Sequence, residues 1–233
     1  MHEKVTTAYT KLNIDTQLGA IPVRGNVGVQ MVHTKQFSNG FAWVNDKIYP
    51  VSDGTSYTDY LPSLNLAFSF QPDLIGRFGL AKTMARPRMD DLRAGADQPK
   101  VGDKPGTPGY GLWGASGGGN PRLEPWRAKS VDFSLEKYFG KRSYLAGAAF
   151  YKSLDTFIYN QSIVRDFSSF NNTILPGGVQ PTSPLGTVNA PANGKGGTVS
   201  GIELSASLEG NLLATALDGF GVVASVSSTK SSL

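Results

Sequence analysis

Apolar and polar side chains alternate with a period of two residues in eight stretches of this chain. The clearest run is SVDFSLEK, in which Val131, Phe133 and Leu135 alternate with Asp132, Ser134 and Glu136. The other runs cover about 3–16, 22–35, 60–70, 74–86, 198–209 and 220–230, with one more directly before Tyr151. No window of comparable length has the 3.6-residue period of a helix. The pattern therefore predicts an all-β protein of about eight strands.

The connections between these runs are of two kinds, and the two kinds alternate along the chain. Short connections are predicted at 17–21, 71–73, 140–142 and roughly 210–219. Long ones are predicted at about 36–59, 87–122 and 153–197, and they are rich in Gly, Pro, Asn, Ser and aromatic residues. Structureless loops of that length are uncommon in compact soluble domains. An antiparallel meander with short turns on one rim and long loops on the other is typical of transmembrane β-barrels.

The position of the lysines predicts which face of the strands meets lipid. Lys129 and Lys137 share the face of Val131, Phe133 and Leu135, at its two ends. Eight residues at ~3.3 Å rise and ~40° tilt cover roughly 20 Å, close to the ~25 Å apolar band of such barrels. The lysines would then bracket the band, so the apolar face is predicted to point outward. Polar residues predicted to face the lumen are Arg24, Arg77, Asp132, Glu136 and Glu203.

Aromatic residues are predicted to form a girdle beside the short turns, at Phe70, Tyr138, Phe139 and Tyr144. The same alternation with the apolar face turned inward would instead give a soluble β-sandwich. A third possibility is a small closed eight-stranded barrel with an interior filled by side chains.

Composition narrows the classes of function. The 233 residues include 28 Gly and 14 Pro, only 17% are charged, and the formal net charge is +4 without a Lys/Arg cluster that would indicate a nucleic-acid partner. The chain has no cysteine, and its histidines, His2 and His33, lack partners at metal-ligand spacing. No Ser/His/Asp constellation is assembled. We expect no catalytic site, no metal site and no cofactor. The start of the chain lacks a signal peptide, and no apolar run reaches the ~20 residues of a membrane helix.

Several segments, in order, resemble the TonB-dependent outer-membrane receptors of proteobacteria. GNVGVQMVHTKQ (25–36) is similar to the family's GN-x-G-x-R strand, with Gln30 in place of the commoner Arg. GNPRLEPW (119–126) matches its GNPxLxP motif. The segments 60–95, 138–158 and 194–205 resemble further strands of the family. The resemblance covers nearly the whole chain except the interiors of the long loops.

The resemblance implies a 22-stranded barrel closed by a plug domain, located in the outer membrane of a bacterial cell. Residues 1–233 show neither the plug, nor the short box that binds TonB, nor a terminal aromatic strand. We therefore expect a partial barrel with the plug and the C-terminal strands absent. The implied partners are outer-membrane lipid, the TonB complex through the missing plug, and a small nutrient ligand.

The implied function is transport, not enzymatic catalysis. The receptor would bind a scarce nutrient at its extracellular loops and import it with TonB-coupled energy. An oligosaccharide is favoured over a ferric siderophore. Candidate ligand-binding aromatic residues in the long loops are Trp43, Tyr49, Tyr57, Tyr110, Trp113, Tyr159 and Phe167. The alternatives are a structural or adhesion role for a closed barrel, and a soluble β-sandwich lectin that uses the same aromatic residues.

Overall fold

The computed structural model describes residues 1–44, 47–95, 99–116, 118–140, 142–168 and 179–232. Eleven strands form one sheet. Their bounds are β1 His2–Leu18, β2 Ile21–Val44, β3 Lys47–Gln71, β4 Leu74–Ala85, β5 Lys100–Val101, β6 Trp113–Ser116, β7 Trp126–Phe139, β8 Ser143–Asp166, β9 Leu185–Lys195, β10 Thr198–Glu209 and β11 Gly221–Ser232. Short 3₁₀ turns lie at Met89–Leu92, Gly210–Leu212 and Thr215–Leu217. The described part of the chain contains no α-helix.

The body of the sheet is an antiparallel meander of eight strands, which confirms the predicted strand count and fold class. Its order is β1-β2-β3-β4-β7-β8-β10-β11. At β8 the sheet divides, because the first half of β8 pairs with β10 and the second half pairs with β9. Strands β6 and β5 continue from β9. The sheet is not closed, since β1 pairs only with β2 and β11 pairs only with β10 among the described residues.

The predicted short turns all lie at one end of the meander. The turn between β1 and β2 is closed by Gly19, whose φ of 64° is accessible to glycine at no steric cost. Gly140, with φ 61°, serves the turn between β7 and β8 in the same way. Two 3₁₀ turns connect β10 to β11. We call this end of the sheet the short-turn end, and the opposite end the loop end.

Two of the predicted long loops are largely strand, so that part of the sequence prediction is wrong. Between 36 and 59 the chain continues β2 and β3 as one hairpin, with pairing from Gln36↔Thr55 to Val44↔Lys47. Between 153 and 197, β8 runs on to Asp166 and β9 returns along it. In the first of these regions, apolar and polar residues do not alternate, because the buried face of β2 carries the polar residues Thr34, Gln36 and Ser38.

The apolar face of the meander is exposed rather than packed into a core. Directly paired residues lie on one face of a sheet, and the row Leu66, Phe78, Phe133, Ala149 and Ile202 crosses five strands. Phe133 and Ile202 are 50% and 57% exposed. A β-sandwich would have buried this row. We call this exposed apolar face the outer face and the opposite one the inner face; that the outer face meets lipid stays a prediction.

The best-buried side chains lie at the loop end instead. Leu92 and Leu123 are fully buried, and Trp113 packs with Val101, Phe167 and Val188. The connection from β4 to β7 is therefore folded against the ends of the strands. The girdle prediction is wrong for Tyr138 and Tyr144, which pair with each other on the inner face, where the Tyr138 hydroxyl donates to Glu136.

Candidate functional site at the inner face and the loop end

The residues predicted to line the lumen lie on one face. One cross-strand row joins Asp15, Arg24, Ala67, Arg77, Ser134, Ala148 and Glu203. Asp132 and Glu136 flank Ser134 on the same side of β7. A cleft of about 620 Å³ is lined by Arg24, Arg77, Asp132 and Glu203, among others. The inner face therefore presents both signs of charge to one shared space.

The charges on this face are held to different degrees. Arg77 donates two hydrogen bonds to Glu136, at 3.0 and 3.2 Å, and the Tyr138 hydroxyl donates a third at 2.7 Å. Arg24 and Asp15 are 3.6 Å apart, and both side chains are about four-fifths exposed. Within the described part of the chain, neither Asp132 nor Glu203 forms a salt bridge. These two carboxylates are available to a solute in the cleft.

At the loop end, the segment 119–126, hereafter the rim segment, is fixed to the inner face of β2. Gln36 donates from Nε2 to the carbonyl oxygens of Pro121 and Leu123, both at 2.8 Å. Gln36 is 3% exposed and Leu123 is fully buried. A buried amide that satisfies two backbone carbonyls fixes the path of the chain at this point.

The rim segment is also fixed to β9, the strand that pairs with the second half of β8. Asn193 accepts a hydrogen bond from the Glu124 amide and donates one to the Glu124 carbonyl, both at 2.8 Å. Asn120 donates to the carbonyl of Pro191 at 3.2 Å. The segment consequently connects β2 to β9, which are far apart in the strand order.

Two arginines of this region bind carboxylates of β3. Arg122 Nε lies 2.9 and 3.0 Å from the two oxygens of Asp53, and its hydrogen bond lowers the pKa of that carboxyl. Arg127 binds both oxygens of Asp59, at 2.6 and 3.2 Å, and also Glu124, at 2.6 Å. The bonds to Asp59 are the main reason that the pKa of Arg127 is raised. A further ion pair joins Arg86, after β4, to Glu3 of β1.

The predicted ligand-binding aromatic residues are distributed over several environments. Trp113 and Phe167 are buried and stacked on each other, with ring centroids 5.6 Å apart. Tyr57 lies under the Arg127 guanidinium, 5.9 Å from its ring centroid. Tyr110 and Tyr159 are 45% and 38% exposed.

Two more of these aromatic residues lie in the extended hairpin. Trp43 in β2 pairs with Ile48, and Tyr49 in β3 pairs with Ala42. The side chains of Trp43 and Tyr49 lie outside the described part of the structure.

A cavity of about 930 Å³ lies beside Trp113 at the loop end. Its polar lining comes from Lys100, Asp103, Ser183 and Thr187, and its apolar lining includes Leu112, Val164 and Leu185. The volume falls within the ~300–1,000 Å³ range of small-molecule sites, and the combination of apolar walls with a few polar groups is typical of them.

Sequence reasoning did not identify Gln36, Arg122, Arg127 or Asn193 as important residues. Their partners are 68 to 87 residues away in sequence. The family-like segments were the available signal. The segment 25–36 ends at Gln36, GNPRLEPW (119–126) contains Arg122 and borders Arg127, and 194–205 begins next to Asn193.

An antiparallel wall with an exposed apolar outer face, a charged inner face and a folded loop end is typical of the class of outer-membrane β-barrels. A family model described as "TonB dependent receptor-like, beta-barrel" matches residues 2–231, and the chain belongs to this family. Proteins of this family are transporters located in the bacterial outer membrane. A search of curated proteins finds no match.

Two further features are absent from the described residues. None of their helices is long and apolar enough to span a membrane. These residues also contain no group of three or more His, Cys, Asp or Glu side chains placed to hold a metal ion.

Proposed function

We propose that this chain forms part of the wall and the extracellular loop region of a receptor that imports a nutrient oligosaccharide. The observation that carries the choice of cargo is the 930 Å³ cavity at the loop end. Its carboxylate, ammonium and hydroxyl groups, on Asp103, Lys100, Ser183 and Thr187, suit the many hydroxyl groups of a sugar. Its apolar walls suit the faces of sugar rings.

The path inward is proposed to follow the inner face. Asp132 and Glu203 offer hydrogen-bond acceptors in the cleft below the loop end. Arg24 and Arg77 offer donors in the same cleft. A polyhydroxylated solute can bind successively to these acceptors and donors as it moves along the inner face. Energy for release into the periplasm would come through a plug domain and TonB.

The proposal also includes further strands that complete the barrel. Among the residues that the structure describes, strands β1 and β11 each have one unpaired edge, and exposed edges invite pairing with other strands. The isolated chain is expected to aggregate in a detergent that keeps the full-length gene product monomeric. A monodisperse, heat-modifiable monomer of the isolated chain would argue against a larger barrel.

Growth of a strain that lacks the gene can identify the cargo. A strain without the gene is expected to grow more slowly on low concentrations of maltodextrins and normally on chelated iron. Impaired growth on chelated iron alone would favour a siderophore. Normal growth on both would remove both cargoes.

Variants of the cavity link the cargo to this site. Asp103→Asn and Ser183→Ala, introduced together into the full-length gene, should raise the KM of maltodextrin uptake about tenfold, because each removes a hydrogen bond worth roughly 0.5–1.5 kcal/mol. Asp218→Asn lies at the short-turn end and should leave KM unchanged. An unchanged KM in the cavity variant would move the binding site elsewhere.

A further inference from the structure

The cavity at the loop end lies on one face of a small sheet, in which β5, β6, β9 and the second half of β8 are neighbours in that order. The opposite face is packed, since its Val101 and Trp113 are 9% and 2% exposed. One row of directly paired residues crosses all four strands on the cavity side: Lys100, Gly114, Thr187 and Val164. All four line the cavity of about 930 Å³. The sheet is therefore the floor of the cavity, and Gly114 lies on it between two polar residues.

The glycine at position 114 is not explained by the packing of the chain itself. A glycine inside a strand weakens the strand, and it often marks a place where another backbone or a ligand comes close. Among the described residues, no atom beyond the chain neighbours lies within 4 Å of a Cβ built on Gly114. Its φ lies outside the left-handed region that favours glycine. Alanine or a larger residue would therefore fit this strand.

The other glycines of the cavity lining have structural reasons that Gly114 lacks. A Cβ on Gly186 would come within 2.3 Å of the Trp113 carbonyl oxygen, and one on Gly102 would come within 2.0 Å of the Gly109 carbonyl oxygen. Gly109 has free space around it, but it belongs to the turn before β6, where glycine is common. Within the described lining, Gly114 is thus the strand glycine for which a ligand is the remaining explanation.

The groups around Gly114 match the two kinds of surface on a sugar ring. Lys100 and Thr187 lie on the neighbouring strands to either side, about 10 Å apart at two interstrand spacings. Their ammonium and hydroxyl groups can bind the hydroxyl groups at the edge of a ring. The apolar residues of the lining, Leu112, Val164 and Leu185, are 45%, 69% and 50% exposed. They offer contacts to the carbon-bound hydrogens of its face.

We propose that Gly114 is a specificity-determining residue, because the missing side chain lets one ring of the oligosaccharide lie directly on the backbone of β6. This inference rests on the proposed function, since it takes the loop-end cavity as the binding site of the sugar. A side chain at position 114 would lift the ring from the strand and separate its hydroxyl groups from Lys100 and Thr187. The strand retains glycine at the expense of its own stability because the ligand needs the space.

The test is isothermal titration calorimetry of the purified full-length gene product in detergent with maltoheptaose. Gly114→Ala should weaken the Kd at least about tenfold, and Gly114→Val should weaken it further, because one methylene in a fitted pocket changes binding by about 10–200-fold. The matched control is Gly221→Ala in β11, at the short-turn end, where the added Cβ would lie 3.3 Å from the Leu208 carbonyl oxygen. This variant should bind maltoheptaose like wild type.

Thermal unfolding of the same proteins separates a ligand contact from a structural role. The Tm of Gly114→Ala without sugar should equal or exceed that of wild type, because the Cβ meets no neighbour and alanine restricts the unfolded chain. A lower Tm together with weaker binding would overturn the inference, since the fold would then need the glycine.

Failure of the inference and failure of the proposed function give different results. If wild type binds maltoheptaose and the Asp103→Asn, Ser183→Ala variant binds it more weakly, but Gly114→Ala binds like wild type, the cavity is the sugar site and the inference about Gly114 is wrong. If wild type does not bind maltoheptaose, or if the cavity variant binds it undiminished, the proposed function is wrong and the inference is overturned with it.

Discussion

The guanidinium of Arg127, at the start of β7, holds both carboxylate oxygens of Asp59 in β3, although β4 lies between these strands. Pairing between β3 and β4 ends at Ser63↔Ala81, so Asp59 lies in the part of β3 beyond β4. The ion pair connects this part of β3 to β7, and Asp59 is only 3% exposed. The rim segment, which ends next to Arg127, is thereby connected to β3 a second time, in addition to the pair of Arg122 with Asp53.

Breaking this pair should be costly. Asp59→Asn leaves the partly buried Arg127 with one carboxylate, Glu124, and removes the charge of the other. Loss of one member of a buried ion pair typically costs about 3–5 kcal/mol. Urea unfolding of the full-length receptor in detergent, followed by circular dichroism, should show a lower midpoint.

The matched control for that experiment is Asp15→Asn. Asp15 and Arg24 are also an ion pair, but both side chains are about 80% exposed, and such pairs contribute about 0–1 kcal/mol. Equal effects of the two substitutions would show that the buried pair does not hold the wall.

Gln36 should determine whether the rim segment stays in place. In Gln36→Leu, the carbonyls of Pro121 and Leu123 lose their donor while remaining buried, at a cost of about 1–3 kcal/mol for each unsatisfied group. Hydrogen exchange of the amides in 119–126 should become faster by at least tenfold. Gln30→Leu, on the exposed part of the same strand, should not change it. Exchange that is equally slow in both variants would assign the anchoring to Asn193 instead.

Acid should loosen the contact between Arg122 and Asp53. Because Arg122 lowers the pKa of Asp53 in the folded state, the contact stabilises fully above the unfolded pKa of ~3.9 and is lost as pH falls through the lower folded value. The pair is partly exposed, so its contribution is a few tenths of a kcal/mol.

Pepsin, which is active in this pH range, can measure the effect. Between about pH 4 and pH 2, cleavage at Leu123 should accelerate more in wild type than in Asp53→Asn, after correction with an unfolded peptide of the same sequence. Parallel acceleration in both proteins would show that other groups control the acid response.

The sequence predicted the eight-stranded meander well because a strand between lipid and water carries apolar and polar side chains at alternate positions. Val131, Phe133 and Leu135 follow this alternation without exception. The same reasoning failed beyond Lys35, where Gln36 and Ser38 are buried by hydrogen bonds to another segment rather than by apolar contact. Arg122 and Arg127 could not be matched to Asp53 and Asp59 without knowledge of the strand register.

The direction of the two faces can be tested at the centre of β7. Phe133→Arg places a cation in the middle of the apolar outer face, which costs about 2–4 kcal/mol at the bilayer midplane. Ser134→Arg adds the same side chain one residue later, toward the charged cleft that Ser134 lines, and should cost well under ~1 kcal/mol. Assembly of the full-length receptor in the outer membrane, measured as the heat-modifiable fraction on gels, should fall sharply for the first variant alone. The reverse order would mean that the apolar row faces away from lipid, and the assignment of inner and outer faces would be inverted.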